Sequence, residues 1–209
     1  MTKLRVSAVT RNAVKPYLID RHYAGRMPSI SYAFGLFDGD DLIGVVTYGT
    51  PAGASQREGL LGKEHADIVL ELNRLCLKHN RKNEASFLVA HSLKMLPRPR
   101  VIISYADSAQ GHIGTVYQAS NAIYLGLSEE RTDWSLHSKP HLHGQTVSDE
   151  FRGQPNRAAL MRAKYGDDFY LKPRPRKHRY AFIIGSKKER RDLRKAIRYT
   201  EQPYPKDAA

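Results

Sequence analysis

Apolar and polar positions along the chain switch between two rhythms, one of period two and one near 3.6 residues. Residues 4–9 alternate and predict a first strand. Residues 11–22 carry Val14, Leu18 and Ile19 at helical spacing, with Pro16 placing the helix start nearby. Residues 31–37 and 42–48 are strand-like and flank Asp38-Gly39-Asp40-Asp41, a strong hairpin signal. Residues 49–62 read as a loop containing Pro51, Gly53 and Gly59. A strand follows over 68–77, then a helix over 84–96 capped by Asn83 and stopped by Pro97. Residues 101–106 have the composition of a buried strand, and residues 115–124 that of a short helix closed by Gly126. Residues 128–175 are irregular apart from a helical run at 157–164. A strand over 179–184 and a basic helix over 187–199 complete the pattern. A hairpin followed by alternating strands and helices predicts an α/β (α+β) fold with a mixed central sheet flanked by helices.

The 209 residues suit one domain with an elaborate insertion. We divide the chain into a core over 1–127, an insertion over 128–178, and a final strand and basic helix over 179–209 that complete the core. The longest apolar stretches, such as Val101-Ile102-Ile103, are strand-sized, which excludes a spanning helix. The N-terminus has no apolar run of the secretory kind. The single cysteine, Cys76, excludes an internal disulfide framework and points to a reducing cytoplasm.

Charge changes the picture. Residues 1–151 hold 17 basic and 15 acidic residues, whereas residues 152–198 hold 16 basic and 4 acidic. Almost all of the formal +13 therefore sits in one block. Phe169, Tyr170, Leu171, Tyr180, Phe182, Ile183 and Ile184 interleave that block, so it reads as folded structure carrying charge. Such a surface suits phosphates, because each neutralised phosphate releases condensed counterions. Nucleic acid is the partner this favours; RNA or an acidic membrane surface would also fit, but no amphipathic basic helix with a large aromatic face appears. Lys139, Arg152, Arg157, Lys187, Lys188, Arg190 and Arg191 are the candidate contacts.

Several segments carry candidate chemistry. The turn Arg81-Lys82-Asn83-Glu84-Ala85-Ser86 enters a helix, where backbone N–H groups can hold a diphosphate; an ordinary capped helix is the plainer alternative. Arg74 is in period-two register with Leu70, Leu72 and Cys76, so it is either a buried ion-pair partner or a side chain aimed into a cleft. Asp107 ends an apolar strand, where ligands of open α/β sheets bind, and is placed to act as a general base; a turn-capping aspartate is the alternative. Tyr117, one turn into the next helix, would point back toward those strand ends as a proton donor. His112 lies between them as a candidate helper. His22 and Tyr23, with a distant aspartate, form a donor set for a first-row metal. His137, His141 and His143 cluster around Pro140, suggesting zinc or phosphate contact.

Two resemblances follow from these segments. The helix after the fourth strand and the tyrosine-bearing helix after the fifth resemble the GNAT acyltransferase fold. That resemblance implies an acyl-CoA-type donor lying on the turn at Arg81, Asn83, Ala85 and Ser86, with Tyr117 protonating a leaving thiolate. The turn lacks the Gly-rich Q/R-x-x-G-x-G/A sequence of GNATs. A closer resemblance is carried by Arg21-His22-Tyr23, by Leu72-Asn73-Arg74-Leu75, and by Ser104-Tyr105-Ala106-Asp107 with Gly111-His112-Ile113-Gly114-Thr115-Val116-Tyr117-Gln118-Ala119-Ser120-Asn121. These segments are similar to the Mom family, phage proteins that modify adenine in DNA. The resemblance implies a transferase that converts adenine N6 to a methylcarbamoyl-type derivative in the host cytoplasm and so protects phage DNA from restriction. It implies a site of His22, Tyr23, Arg74, Asp107 and Tyr117, with iron at His22. The alternatives are a GNAT acetylating a protein or small amine, a non-catalytic basic DNA-binding module, and, last, a nuclease built on the three histidines.

Overall fold

The computed structural model describes residues 4–142 and 144–206. Two compact units emerge, one of residues 4–127 and 177–206 and one of residues 128–176.

The larger unit is built on a seven-stranded sheet. Its strands are β1 (Leu4–Ala8), β2 (Tyr32–Asp38), β3 (Asp41–Gly49), β4 (Val69–Leu77), β5 (Arg100–Asp107), β6 (Ile123–Leu127) and, last in the chain, β9 (Lys177–Ile184). Their order in space is β1-β2-β3-β4-β5-β9-β6, with β4 and β5 parallel and every other pair antiparallel. Helices cover both faces, as the alternating pattern predicts. On one face Leu88, Val89 and Leu93 of α3 (Glu84–Met95) bury against Leu36, Val46, Leu72, Ile102 and Phe182, joined by Val116 and Tyr117 of α4 (Thr115–Ala119). The other face carries two clusters. Leu60 and Leu61 of α2 (Ala54–Leu61) and Leu193 of α7 (Lys187–Ala196) pack on Val69, Val101 and Ile103, while Val14 of α1 (Arg11–Pro16) packs with Tyr17 and Leu18 on Val45.

Several local expectations change. Pro16 does not start its helix. Thr10 caps α1, its hydroxyl accepting from the Ala13 amide at 3.3 Å, and Pro16 lies inside before the turn widens to a π-helix over Tyr17–Arg21. The segment 49–62 contains α2 rather than only a loop. The helix predicted over 115–124 stops at Ala119, because Asn121 takes a left-handed φ of 58° and Ile123 and Tyr124 join β6. Lys177 and His178 belong to β9, where Lys177 pairs with Asp107.

The smaller unit is a hairpin of β7 (Arg131–Leu136) and β8 (Phe169–Arg174) with α5 (Gly144–Asp149) and α6 (Arg157–Tyr165). Leu136, Val147, Met161 and Phe169 form its core, with Trp134 edge-on to Phe169. The segment read as irregular is therefore folded; its strands were hidden by Pro173 and by short, charged alternation. No helix among the described residues is long and apolar enough to cross a membrane.

Candidate active site

Strands β4 and β5 pair in parallel only from Val69 with Val101 to Leu72 with Ser104. Beyond that point β4 pairs with β3 and β5 with β9, so the two neighbours part at their carboxyl ends. In an open sheet this is where a ligand enters.

Arg74 reaches this junction by a route that period two does not foresee. Thr47 of β3 faces Arg74 and Tyr48 faces Leu72, so Asn73 is the extra residue of a β-bulge. The bulge inverts the alternation. Leu70 and Leu72 face the α3 side, and so do Leu75 and Leu77 beyond the bulge. Val69 and Cys76 lie in the clusters of the opposite face. Arg74 therefore shares a face with Glu71, not with Leu70 and Leu72 as its spacing predicted. Asn73 locks the bulge: its Nδ2 donates to the Ser29 carbonyl at 2.7 Å, and its Oδ1 accepts from Thr47 Oγ1 at 2.6 Å. Gly49, near the bulge on β3, is needed for this close approach. A Cβ there would lie 2.0 Å from the Ser29 oxygen.

The Arg74 Nη1 donates to the Asn73 carbonyl at 2.6 Å, while its buried Nε has no acceptor. Burial and the nearby Arg26 draw the Arg74 pKa down, countered by Tyr23 and Glu71. Burial pushes the Glu71 carboxyl up, countered by Arg74 and Lys177.

His22 and Tyr23 follow the π-helical turn. Their rings stack at 4.4 Å, and Tyr23 is edge-on to His112 at 6.3 Å. Tyr23 is 57% exposed. Burial, then the charges of Arg74 and His112, hold the His22 pKa down at about 4. A histidine whose folded pKa lies below its unfolded value disfavours the charged form in the fold. Stability is therefore kept above about pH 6.5 and declines as pH falls through that value toward 4. We expect NMR titration to find the His22 ring neutral at pH 6; a midpoint near 6.5 would refute the burial and the Arg74 contact.

Tyr117 sits on the α3 face. Its hydroxyl hydrogen-bonds with the Ser104 side chain, and burial pushes its pKa up, so it is protonated at neutral pH. Ser104 in turn donates to the Leu72 carbonyl at 3.1 Å, which ties Tyr117 to the last paired residues of β4 and β5. Tyr180 fixes this tyrosine from below. Its ring lies 5.4 Å from that of Tyr117, its hydroxyl donates to the Ile113 carbonyl, and it accepts from Gln118 Nε2 at 3.1 Å. Gly114, with φ of 86°, passes so close that a Cβ would sit 2.3 Å from the Tyr180 ring. Gly114→Ala should therefore cost about 2–4 kcal/mol, combining left-handed strain with overpacking, and should displace Tyr117. Chemical denaturation measures this; an unchanged midpoint would contradict the packing.

Asp107 ends β5. Its Oδ1 accepts from the Ala109 amide at 3.0 Å and its Oδ2 pairs with Lys177 at 3.0 Å. It is thus held in place, and capping a turn is one of its tasks. The structure brings Arg74 and Tyr117 within electrostatic reach of both Glu71 and Tyr23, and stacks His22 and sets His112 against Tyr23. It places Asp107 on the same side of the sheet as Glu71, linked through Lys177, which also acts on Glu71. Glu71, Asn73 and Lys177 are the members that sequence reading missed. The signal for Glu71 was a carboxylate inside an apolar strand.

The remaining predicted groups fall elsewhere. At the start of α3, Asn83 is left-handed and makes no side-chain cap, and Ser86 Oγ donates back to the Asn83 carbonyl. Glu84 is 3% exposed, and its Oε2 accepts from the Arg81 amide at 2.9 Å. Arg81 itself pairs with Asp38 and Glu84. A diphosphate at Arg81, Asn83, Ala85 and Ser86 would meet this buried carboxylate, so the turn does not fit the CoA diphosphate. Nor does the site fit iron. The His22 Nδ1 accepts from the Ala24 amide at 3.1 Å, which leaves a protonated Nε2, and no three His, Cys, Asp or Glu side chains gather among the described residues. His137 stacks on Tyr170 at 4.1 Å, and His143 lies outside the described residues.

Of the cationic candidates, Lys187, Lys188 and Arg190 are exposed on α7 and make no ion pair among the described residues, while Arg191 pairs with Asp192. In the smaller unit Lys139 is exposed, Arg152 pairs with Asp149, and Arg157 lies over the Trp134 ring with two guanidinium nitrogens unbonded.

The model of the Mom protein family matches residues 3–206. The chain belongs to the Mom family. A relative, the methylcarbamoylase mom of Escherichia phage Mu, is 29% identical over 98% of this chain and 84% of its own length. Among solved structures, an N-acetyltransferase from Staphylococcus aureus aligns with 88% of this chain and all of its own at 11% identity and TM-score 0.48. A Bacillus subtilis acetyltransferase in complex with CoA covers the same shares at 13% identity and TM-score 0.46. Of the sequence segments resembling the Mom family, the histidine–tyrosine pair, the bulged strand and the β5–α4 turn are those whose side chains meet at the junction.

Proposed function

We propose that this chain is a DNA-modifying transferase that places a methylcarbamoyl-type group on adenine N6 in double-stranded phage DNA and so protects it from host restriction. The observation that carries the reading is that a partly buried, protonated tyrosine, Tyr117, and a partly unsatisfied arginine, Arg74, both interact with Glu71 where β4 and β5 part, while the oriented Asp107 carboxylate ends β5. The name of the phage Mu relative supplies the group transferred.

Adenine N6 is a weak nucleophile and is stacked and paired in a duplex, so the base must be everted at a cost of about a few kcal/mol. Phosphate contacts from α7 and from Lys139, Arg152 and Arg157 hold the duplex without reading its sequence. Asp107, oriented by the Ala109 amide and Lys177, accepts the N6 proton. Tyr117 holds a proton for the leaving group, and Arg74 faces the charge that develops during transfer. His22 and Tyr23 wall the junction with stacked aromatic surface. By resemblance the group donor is of the acyl-CoA type, and Glu84 closes the α3 turn to its diphosphate.

Nucleoside mass spectrometry of DNA from cells making the protein tests the reading. It should show an adenosine heavier by the transferred group. A modified protein or small amine with unmodified DNA would favour an acetyltransferase instead.

A further inference from the structure

Glu71 and Arg74 share a face at the junction, and neither is fully satisfied. No hydrogen bond or ion pair within 4 Å engages the Glu71 carboxylate among the described residues, although Arg74, Lys177, Tyr105 and Tyr117 surround it closely enough to interact. Arg74 is fixed by its bond to the Asn73 carbonyl, yet its Nε is buried and unbonded. A buried donor left without an acceptor is costly, and the half-buried carboxylate beside it is open to a ligand.

Resting on the adenine reading above, we infer that Glu71 and Arg74 form the base-reading pair: the Glu71 carboxylate accepts a hydrogen bond from the N6 amine, and Arg74 donates to an adjacent ring nitrogen of the same edge. The bulge at Asn73 is what makes the pair, since without it Arg74 would face the opposite side of the sheet. The chemistry matches adenine, whose N6–H donor lies beside the N1 and N7 acceptors. Guanine offers O6 at the corresponding position and thymine O4, both of which a carboxylate repels. Cytosine repeats the donor–acceptor pattern on a smaller ring, so its exclusion falls to pocket size. The upward push on the Glu71 carboxyl from burial is consistent with a group that spends the free state poorly solvated.

The test uses the full-length protein and two readouts. The first is binding to duplexes carrying one unpaired adenine or, in its place, unpaired purine, which lacks the N6 amine. Wild type should prefer adenine by on the order of 10-fold or more. Glu71→Ala should bind both equally, losing about 10-fold on the adenine duplex while its affinity for the purine duplex stays near that of wild type, and Glu71→Gln, which keeps an acceptor oxygen, should retain part of the preference. The second is nucleoside mass spectrometry, where Glu71→Ala should lose modification and Glu71→Gln should keep a measurable fraction. Preference and modification both intact in Glu71→Ala would overturn the pair while leaving the adenine reading standing. A wild type with neither preference nor modified adenosine would sink the adenine reading itself and the pair with it. A melting curve for each variant separates loss of folding from loss of recognition.

Discussion

Asp107→Asn should lower adenine modification by about 10²–10⁴-fold, the range a positioned general base contributes. The substitution is nearly isosteric. Its amide oxygen can still accept from the Ala109 amide, so the turn after β5 keeps its cap. What disappears is the negative charge that pairs with Lys177 and can take a proton. Asp107 is not one of the cationic phosphate contacts, so duplex affinity should stay within about twofold. The check is a paired one, modified nucleoside by mass spectrometry and DNA affinity by titration. Full modification in Asp107→Asn would leave the carboxylate with turn-capping alone.

Replacing Lys187, Lys188, Arg190 and Arg191 with alanine should weaken duplex binding and flatten its salt dependence. α7 is anchored by Leu193, which is buried against the sheet, and by a capping box in which Ser186 and Glu189 bond reciprocally. The helix should therefore survive the substitutions. Each side chain that neutralises a phosphate contributes about 0.9 to the slope of log affinity against log salt. Lys187, Lys188 and Arg190 have no ion-pair partner among the described residues, whereas Arg191 must compete with Asp192. The slope should thus fall by about 2–3 rather than by the full value for four contacts. Affinity titrated at several salt concentrations reads this directly. An unchanged slope would remove α7 from the DNA surface.

The hairpin around Asp38–Asp41, the strand ending at Asp107 and the helix after Asn83 were legible because each depends on nearest neighbours: a turn sequence, an apolar run, a proline stop. The site was legible only in part. Arg74, Asp107 and Tyr117 stood out as polar residues at strand ends and helix starts. The face on which Arg74 lies did not, because one bulge residue, Asn73, inverts the alternation and is set by Ser29 and Thr47, far away in sequence. Glu71 was hidden for the same reason, since Arg74, its neighbour on that face, lies beyond the bulge on the same strand. Glu84 reads as an ordinary first-turn acid, and only its burial and its bond to the Arg81 amide reveal that it fills the place expected for a diphosphate. The hairpin of residues 131–174 escaped notice because charged strands with a proline carry little apolar signal.

The central claim is that the residues gathered at the parting of β4 and β5 act on adenine. Nucleosides from the DNA of cells expressing wild type and Asp107→Asn, digested and weighed side by side, bear on it most directly. The account predicts a mass-shifted adenosine in the first sample and its near-absence in the second; unshifted adenosine in both, with soluble folded protein present, would contradict it.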